Sequence, residues 1–324
     1  MADGFVPSIA AIRQALGDLG TRIRTTPVWW WRSSDLDARV PGVQVQVKME
    51  MLQRSGSFKI RGALLNAMAL DADQRARGVT GVSAGNHAIA LAMAAQSVGT
   101  TAKLVMPENA DPFRVARCRA VGGEVISVPD VHAAFAESQR IQEEEGRTFV
   151  HPFEGEHTLT GTATVAMEWL DQVDRLDAVI IPVGGGGLAG GMSAAIKQLK
   201  PEVKVYGVEP EGADSMRRSL AAGEPQSIER VATIADSLGA PYAAPMSFAL
   251  CERYLDDLVI VDDDALRAAM RLIHADLKLA IEPACAAATA ALLGPLASRL
   301  HHQRVGILFC GSNISPERWT QLLG

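Results

Sequence analysis

A chain of 324 residues, 48% hydrophobic and 21% charged, has the make-up of a globular protein with room for two sizeable cores. A formal net charge of -6 and the lack of any lysine or arginine cluster argue against a nucleic-acid binder. No run reaches the roughly 20 apolar residues of a membrane span, the first residues carry an acid and no long apolar stretch, and no secretory signal is expected. Cys118, Cys251, Cys285 and Cys310 are scattered without a Cys-x-x-Cys pair. They suit neither a zinc site nor a disulfide framework, and a reduced, cytoplasmic setting follows.

In chain order, short apolar runs predict strands over 43–49, 79–83, 102–106, 124–128, 178–183, 204–208, 258–261 and 305–309. Helical patterns fall between most of them, over 60–70, 88–96, 113–120, 188–199, 264–277 and 284–293. Such alternation predicts an α/β protein whose mostly parallel sheets are covered by helices on both faces. Ligands in such sheets sit at the carboxyl ends of strands, where glycine-rich turns lead into helices.

Four segments carry chemistry. Ser55-Gly56-Ser57-Phe58-Lys59 sets a lysine after a hydroxyl-rich turn and before the helical run over 60–70. A lysine that bonds an aldehyde cofactor needs such a place, held and partly desolvated so that the amine can be neutral. Alone, the stretch reads more readily as an ordinary loop with a solvated lysine at a helix start. Ser83-Ala84-Gly85-Asn86-His87 follows a strand and opens a helix; its amides and the Ser83 and Asn86 side chains suit a carboxylate or a cofactor hydroxyl, or simply cap the helix. Gly184 to Gly187 lie between a strand and a helix, so their backbone N–H groups can turn toward one anion. No P-loop lysine follows, and the spacing is not Gly-x-Gly-x-x-Gly; a small phosphate without a metal fits the segment better than the alternative, a flexible strand-helix turn. Cys310, at the end of the last predicted strand, either faces a cofactor ring or is a small buried apolar residue.

Together these segments resemble the serine/threonine dehydratase and serine racemase branch of the fold-type II pyridoxal-phosphate enzymes. The resemblance starts at Thr26-Pro27-Val28 and Lys48-x-Glu50-x-x-Gln53-x-Ser55-Gly56-Ser57-Phe58-Lys59-x-Arg61-Gly62-Ala63. It runs through Ser83-Ala84-Gly85-Asn86-His87, Met106-Pro107, His151-Pro152-Phe153, the tetraglycine and Gly207-Val208-Glu209-Pro210 to Ile281-Glu282-Pro283 and Cys310-Gly311-Ser312-Asn313. It implies a tryptophan-synthase-β-like fold of two α/β lobes, the smaller over 50–145 and the larger over 1–49 and 146–324, and a homodimer. It also implies that Lys59 bonds pyridoxal 5'-phosphate, that Phe58 packs beside the pyridine ring and that Asn86 bonds its 3-hydroxyl. Gly184, Gly185, Gly186 and Gly187 then hold the phosphate, and Cys310 faces the ring nitrogen. Ser55, Ser83, Asn86 and His87 belong to loops that receive the substrate carboxylate.

The reaction so implied is β-elimination from an L-3-hydroxy-amino acid such as threonine or serine, giving a 2-oxo acid and ammonia. Ala84 stands where racemases of this branch have a serine that acts as acid and base opposite the lysine, and alanine moves no proton. Racemisation is therefore the alternative. A catalytically silent phosphate-ligand binder is another, against which Lys59 and the intact tetraglycine speak. Departures from the family pattern leave room for 3-hydroxyaspartate or phenylserine as substrate. They are Ser55 for threonine, Gly161-Thr162-Ala163-Thr164 for Gly-Gln-Gly-Thr, Arg114 for a frequent lysine, and a changed 235–241 loop expected to help set substrate choice. Some members hold a divalent ion at Glu209; with Ser215 in place of a second carboxylate, no tight metal is expected here. The Trp29-Trp30-Trp31 run reads either as an interface anchor or as local packing.

Overall fold

The computed structural model describes residues 4–324, apart from the side chains of Val131 and His132. Its strands are β1 (Val28–Trp31), β2 (Gln44–Lys48), β3 (Val79–Val82), β4 (Ala102–Pro107), β5 (Gly123–Val128), β6 (Thr148–Phe149), β7 (Ala178–Pro182), β8 (Lys204–Pro210), β9 (Asp257–Val261) and β10 (Arg304–Leu308). The helices through the first half are α1 (Ile9–Leu19), α2 (Ser34–Arg39), α3 (Lys59–Met68), α4 (Ala72–Arg77), α5 (Asn86–Ser97), α6 (Pro112–Ala120), α7 (Val131–Glu145) and α8 (Glu156–Gln172). They continue as α9 (Gly187–Leu199), α10 (Ser215–Ala222), α11 (Pro245–Tyr254), α12 (Asp263–Leu277), α13 (Pro283–Leu293) and α14 (Pro316–Leu323).

Two sheets form. One has six strands in the order β1-β2-β10-β7-β8-β9, the other four in the order β5-β4-β3-β6. Every pairing is parallel except β1 with β2, so the predicted α/β class holds. The central strands β7 and β3 are buried along their whole length, as parallel strands covered on both faces must be. Helix α13 is alanine-rich and buried on all sides, since small side chains let it sit against α12 and the strands of the larger sheet.

Each of the eight predicted strands is present, and two more appear. β6 is only two residues long, and β1 is the tryptophan run itself, an antiparallel edge strand. Its rings divide: Trp29 and Trp30 are exposed, whereas Trp31 is buried edge-on to Phe309 and donates from Nε1 to Asp276 at 2.8 Å.

Three devices fix the start of α3. The loop before it is stitched to the exit of β10 by Met51 N–H to Phe309 O (2.8 Å), Phe58 N–H to Cys310 O (3.1 Å) and Ser312 N–H to Gly56 O (3.0 Å). Its turn needs Gly56, whose φ is +74° and whose Cβ would sit 2.5 Å from the Asn313 side chain. Helix α3 then crosses α8 backbone against backbone, a Cβ on Gly161 falling 2.5 Å from the Gly62 Cα. Beneath the crossing lies a buried charge network. Arg61 bonds Glu50 at 2.7 Å and Glu168 at 2.9 Å, and Lys48 bonds Glu168 at 2.6 Å, joining β2, α3 and α8.

Candidate active site

A cavity of about 530 Å³ opens where turns from both sheets converge, and it is lined by Phe58, Lys59, Ser83, Asn86, His87, the tetraglycine and Cys310 together. The sequence-predicted residues meet there with one exception. Ser55 is fully buried, donates from Oγ to the Ser57 carbonyl at 3.0 Å, and is not part of the lining.

Lys59 is the first residue of α3, and its Nζ donates to the Pro152 carbonyl at 2.5 Å and stands 5.1 Å from the Phe58 ring centre. Burial disfavours its charged form and lowers its pKa to about 8, against the smaller opposing pull of Cys310 and Glu282. The amine is thus held, desolvated and readily neutral.

Gly184 to Gly187 run from β7 into α9, with Gly186 left-handed at φ +86°. Among the described residues none of their four amides finds an acceptor, and no side chain caps α9. Four free N–H groups at a helix N-terminus are an anion site. The loop tolerates no side chains: a Cβ on Gly185 would lie 2.3 Å from the Phe153 ring, and one on Gly187 2.3 Å from the Phe153 carbonyl oxygen. Thr162, one of the departures noted above, donates to the Gly187 carbonyl at 2.7 Å and so ties α8 to the loop.

At the second turn, Ser83 Oγ accepts from Gly85 N–H at 3.1 Å, while the Asn86 and His87 amides opening α5 find no acceptor among the described residues. The Asn86 side chain donates to Glu282 at 2.7 Å and accepts from Asn313 Nδ2 at 2.6 Å. His87 lies 2.9 Å from the Val150 carbonyl; since a carbonyl only accepts, Nε2 carries the proton. Burial first, and the nearby Lys59 amine second, pull His87 down to about 3, so the ring is neutral. Cys310 is a free, buried thiol, and the neighbouring Cys285 thiol together with desolvation holds it well above its ordinary value. It too is neutral.

Glu282 and Arg114 were present in the sequence without a role. Glu282 is buried in the lining and its carboxyl is pushed up by desolvation, partly offset by Arg114. Arg114, on α6, bonds Asp236 at 2.6 Å, Glu282 at 3.1 Å and the Asn313 carbonyl at 2.7 Å, clasping the smaller sheet's layer to the larger. Loop 235–241 also reaches the cavity: Asp236 to Pro241 line it. Away from the cavity, Glu209 accepts from the Met216 and Arg217 amides at 2.9 and 2.8 Å and caps α10. No group of three or more His, Cys, Asp or Glu stands close enough to hold a metal among the described residues.

The profile of the pyridoxal-phosphate dependent enzymes matches residues 20–311. The chain belongs to that family. It is 52% identical over 319 residues to a phenylserine dehydratase of Ralstonia pickettii, covering 98% of this chain and 97% of that one. It is 38% identical over 282 residues to an L-threonine ammonia-lyase of Thermotoga maritima, covering 87% and 70%. Among solved structures, maize serine racemase superposes with a TM-score of 0.92 at 34% identity, covering 98% and 97%.

The residues fit the family's cofactor. Pyridoxal 5'-phosphate carries an aldehyde and a phosphate. The buried, readily neutral Lys59 amine suits the first, and the unpaired glycine amides suit the second, on the wall of one cavity.

Proposed function

We propose that this pyridoxal-phosphate-dependent lyase dehydrates L-3-hydroxy-amino acids that carry an aryl group on the β-carbon, with 3-phenylserine as the preferred type, releasing a 2-oxo acid and ammonia. The 52% identity to a phenylserine dehydratase along nearly the whole of both chains carries the substrate, and Ala84 in the cavity wall carries the choice of elimination over racemisation.

In this reading Lys59 holds the cofactor covalently, Gly184 to Gly187 hold its phosphate, and Phe58, Asn86 and Cys310 surround its ring. When bound, pyridoxal phosphate supplies a sink for the electron pair left at the substrate's α-carbon. A neutral Cys310 suits that role modestly, since it offers no charge to a ring nitrogen. Lys59, freed as an amine when the substrate binds, takes the α-proton; its pKa near 8 keeps enough of it neutral to act. The unpaired Asn86 and His87 amides and the Ser83 hydroxyl receive the substrate carboxylate. The β-hydroxyl leaves as water, taking up a proton equivalent to the one removed from the α-carbon, and the released enamine tautomerises to an imine that water hydrolyses to the 2-oxo acid and ammonia.

We also read the chain as two lobes, 50–145 and 1–49 with 146–324; the division into two sheets supports this, β6 falling just past the boundary. A homodimer and a cytoplasmic setting go with the reading. No helix among the described residues is long and apolar enough to cross a membrane.

The test is 2-oxo acid release from L-threo-3-phenylserine, L-threonine, L-serine and threo-3-hydroxyaspartate. The highest kcat/KM is expected with phenylserine. Interconversion of L- and D-serine that outpaces 2-oxo acid release would reverse the choice of reaction.

A further inference from the structure

We infer that Phe135, backed by Tyr242 and Phe153, forms the subsite for an aryl ring on the substrate's β-carbon, and that Phe135 is the residue that selects aryl over alkyl side chains. The inference rests on the proposed substrate class and names the residues that would enforce it.

Phe135, Phe153, His151 and Tyr242, from three separated segments, form one aromatic cluster, and of these Phe135 and Phe153 line the cavity. Phe135 comes from α7, Phe153 and His151 from the segment between β6 and α8, and Tyr242 from the loop before α11. Phe135 and Tyr242 centre 6.3 Å apart at 54°, and Phe153 and Tyr242 5.6 Å apart at 59°. His151 meets Phe153 edge-on at 4.5 Å. The chain holds only 5% aromatic residues, so the cluster is a concentration of a scarce side chain.

The cluster is braced. His151 Nδ1 accepts from the Phe153 amide at 3.3 Å, so the ring's proton sits on Nε2, which donates to the Tyr242 oxygen at 3.0 Å. Burial keeps His151 neutral, with its pKa drawn down to about 4, and the arrangement persists at working pH. Phe135 and Phe153 present themselves to the cavity that also holds Lys59, and Ile228, Val231 and Leu238 continue the apolar wall. Tilted and edge-on contacts are the arrangement aromatic groups prefer, and a substrate ring laid against Phe135 would make one more of them.

Charge points the same way. The cavity's buried cation, Arg114, is already shared by Asp236 and Glu282. To pair with Arg114, a second carboxylate, as in 3-hydroxyaspartate, would have to displace one of them; the other guanidinium of the lining, Arg230, is exposed.

The experiment measures kcat/KM for L-threo-3-phenylserine and L-threonine with the holoenzyme, Phe135→Ala and Phe135→Leu. The phenylserine-to-threonine ratio is expected to fall about tenfold in Phe135→Ala, mostly through a higher phenylserine KM, with Phe135→Leu between, since it keeps apolar area but no ring. An unchanged ratio in both variants overturns the inference. Phe135 is only half-buried, so Phe135→Leu should fold even if Phe135→Ala does not, and its ratio then decides. A wild type that favours threonine would instead bring down the proposed substrate. The two failures are thus read from different proteins.

Discussion

Burial gives Lys59 its chemistry. The same desolvation that lowers its pKa to about 8 also makes the amine nucleophilic, and the Pro152 carbonyl aims it. Lys59→Ala removes both the covalent hold on the cofactor and the base. Ammonia release should drop by at least about a thousandfold, within the range that a positioned acid or base supplies, and the visible absorbance of lysine-bound cofactor should vanish. Ammonia release near the wild-type rate would contradict the role. Lys59 was legible in the sequence because its turn, ambiguous alone, stands in one chain with the tetraglycine, the Ser83–His87 turn and Cys310. Glu282 and Arg114 were not. Their meaning comes from meeting across the cavity at 3.1 Å, although they lie 168 positions apart in the chain.

Among the elements, strand-helix alternation exposed the parallel strands, since burial on both faces makes them short apolar runs. β1 escaped because an edge strand with two exposed tryptophans does not read as a covered strand, and β6 because two residues carry no period. Helix α8 escaped as well. Its Gly161, Thr162 and Thr164 are poor helix formers, kept there because they pack against α3 and the glycine loop. Two predictions belong at this scale. Gly187→Ala would drive a Cβ to 2.3 Å from a backbone oxygen that cannot swing aside. The loop must shift, and pyridoxal phosphate affinity in a titration of cofactor-free protein should weaken at least about tenfold, as loss of one hydrogen bond to a charged group would. Unchanged affinity would place the phosphate elsewhere. Arg61→Met leaves Glu50 buried without an ion-pair partner and Glu168 with Lys48 alone. Urea unfolding should show a loss of about 3–5 kcal/mol, the cost of breaking a buried ion pair from one side; a loss under about 1 kcal/mol, the scale of an exposed pair, would show that the network is solvated.

For the whole molecule, the cavity is lined by turns from both sheets, and the residues that shape it come from segments far apart in the chain. Sequence motifs could name those turns one at a time but could not show that Phe135 and Tyr242 touch. Two histidines beside this cavity, His87 buried and His151 half-buried, also set how the fold responds to acid. Burial, helped by the Lys59 amine, brings His87 to about 3 and His151 to about 4, whereas in the unfolded chain both titrate near the usual value of about 6.5. Between those limits the unfolded chain binds protons that the folded protein refuses. The stability is therefore complete above about 6.5 and is lost as pH falls toward the folded values. His87→Gln keeps a donor for the Val150 carbonyl and removes one titration. Melting temperatures taken from pH 7 to 4 should fall for the wild type and fall less steeply for His87→Gln. Parallel curves for the two proteins would mean that His87 does not resist protonation, and that its contact with Val150 is too open to water to keep the ring neutral.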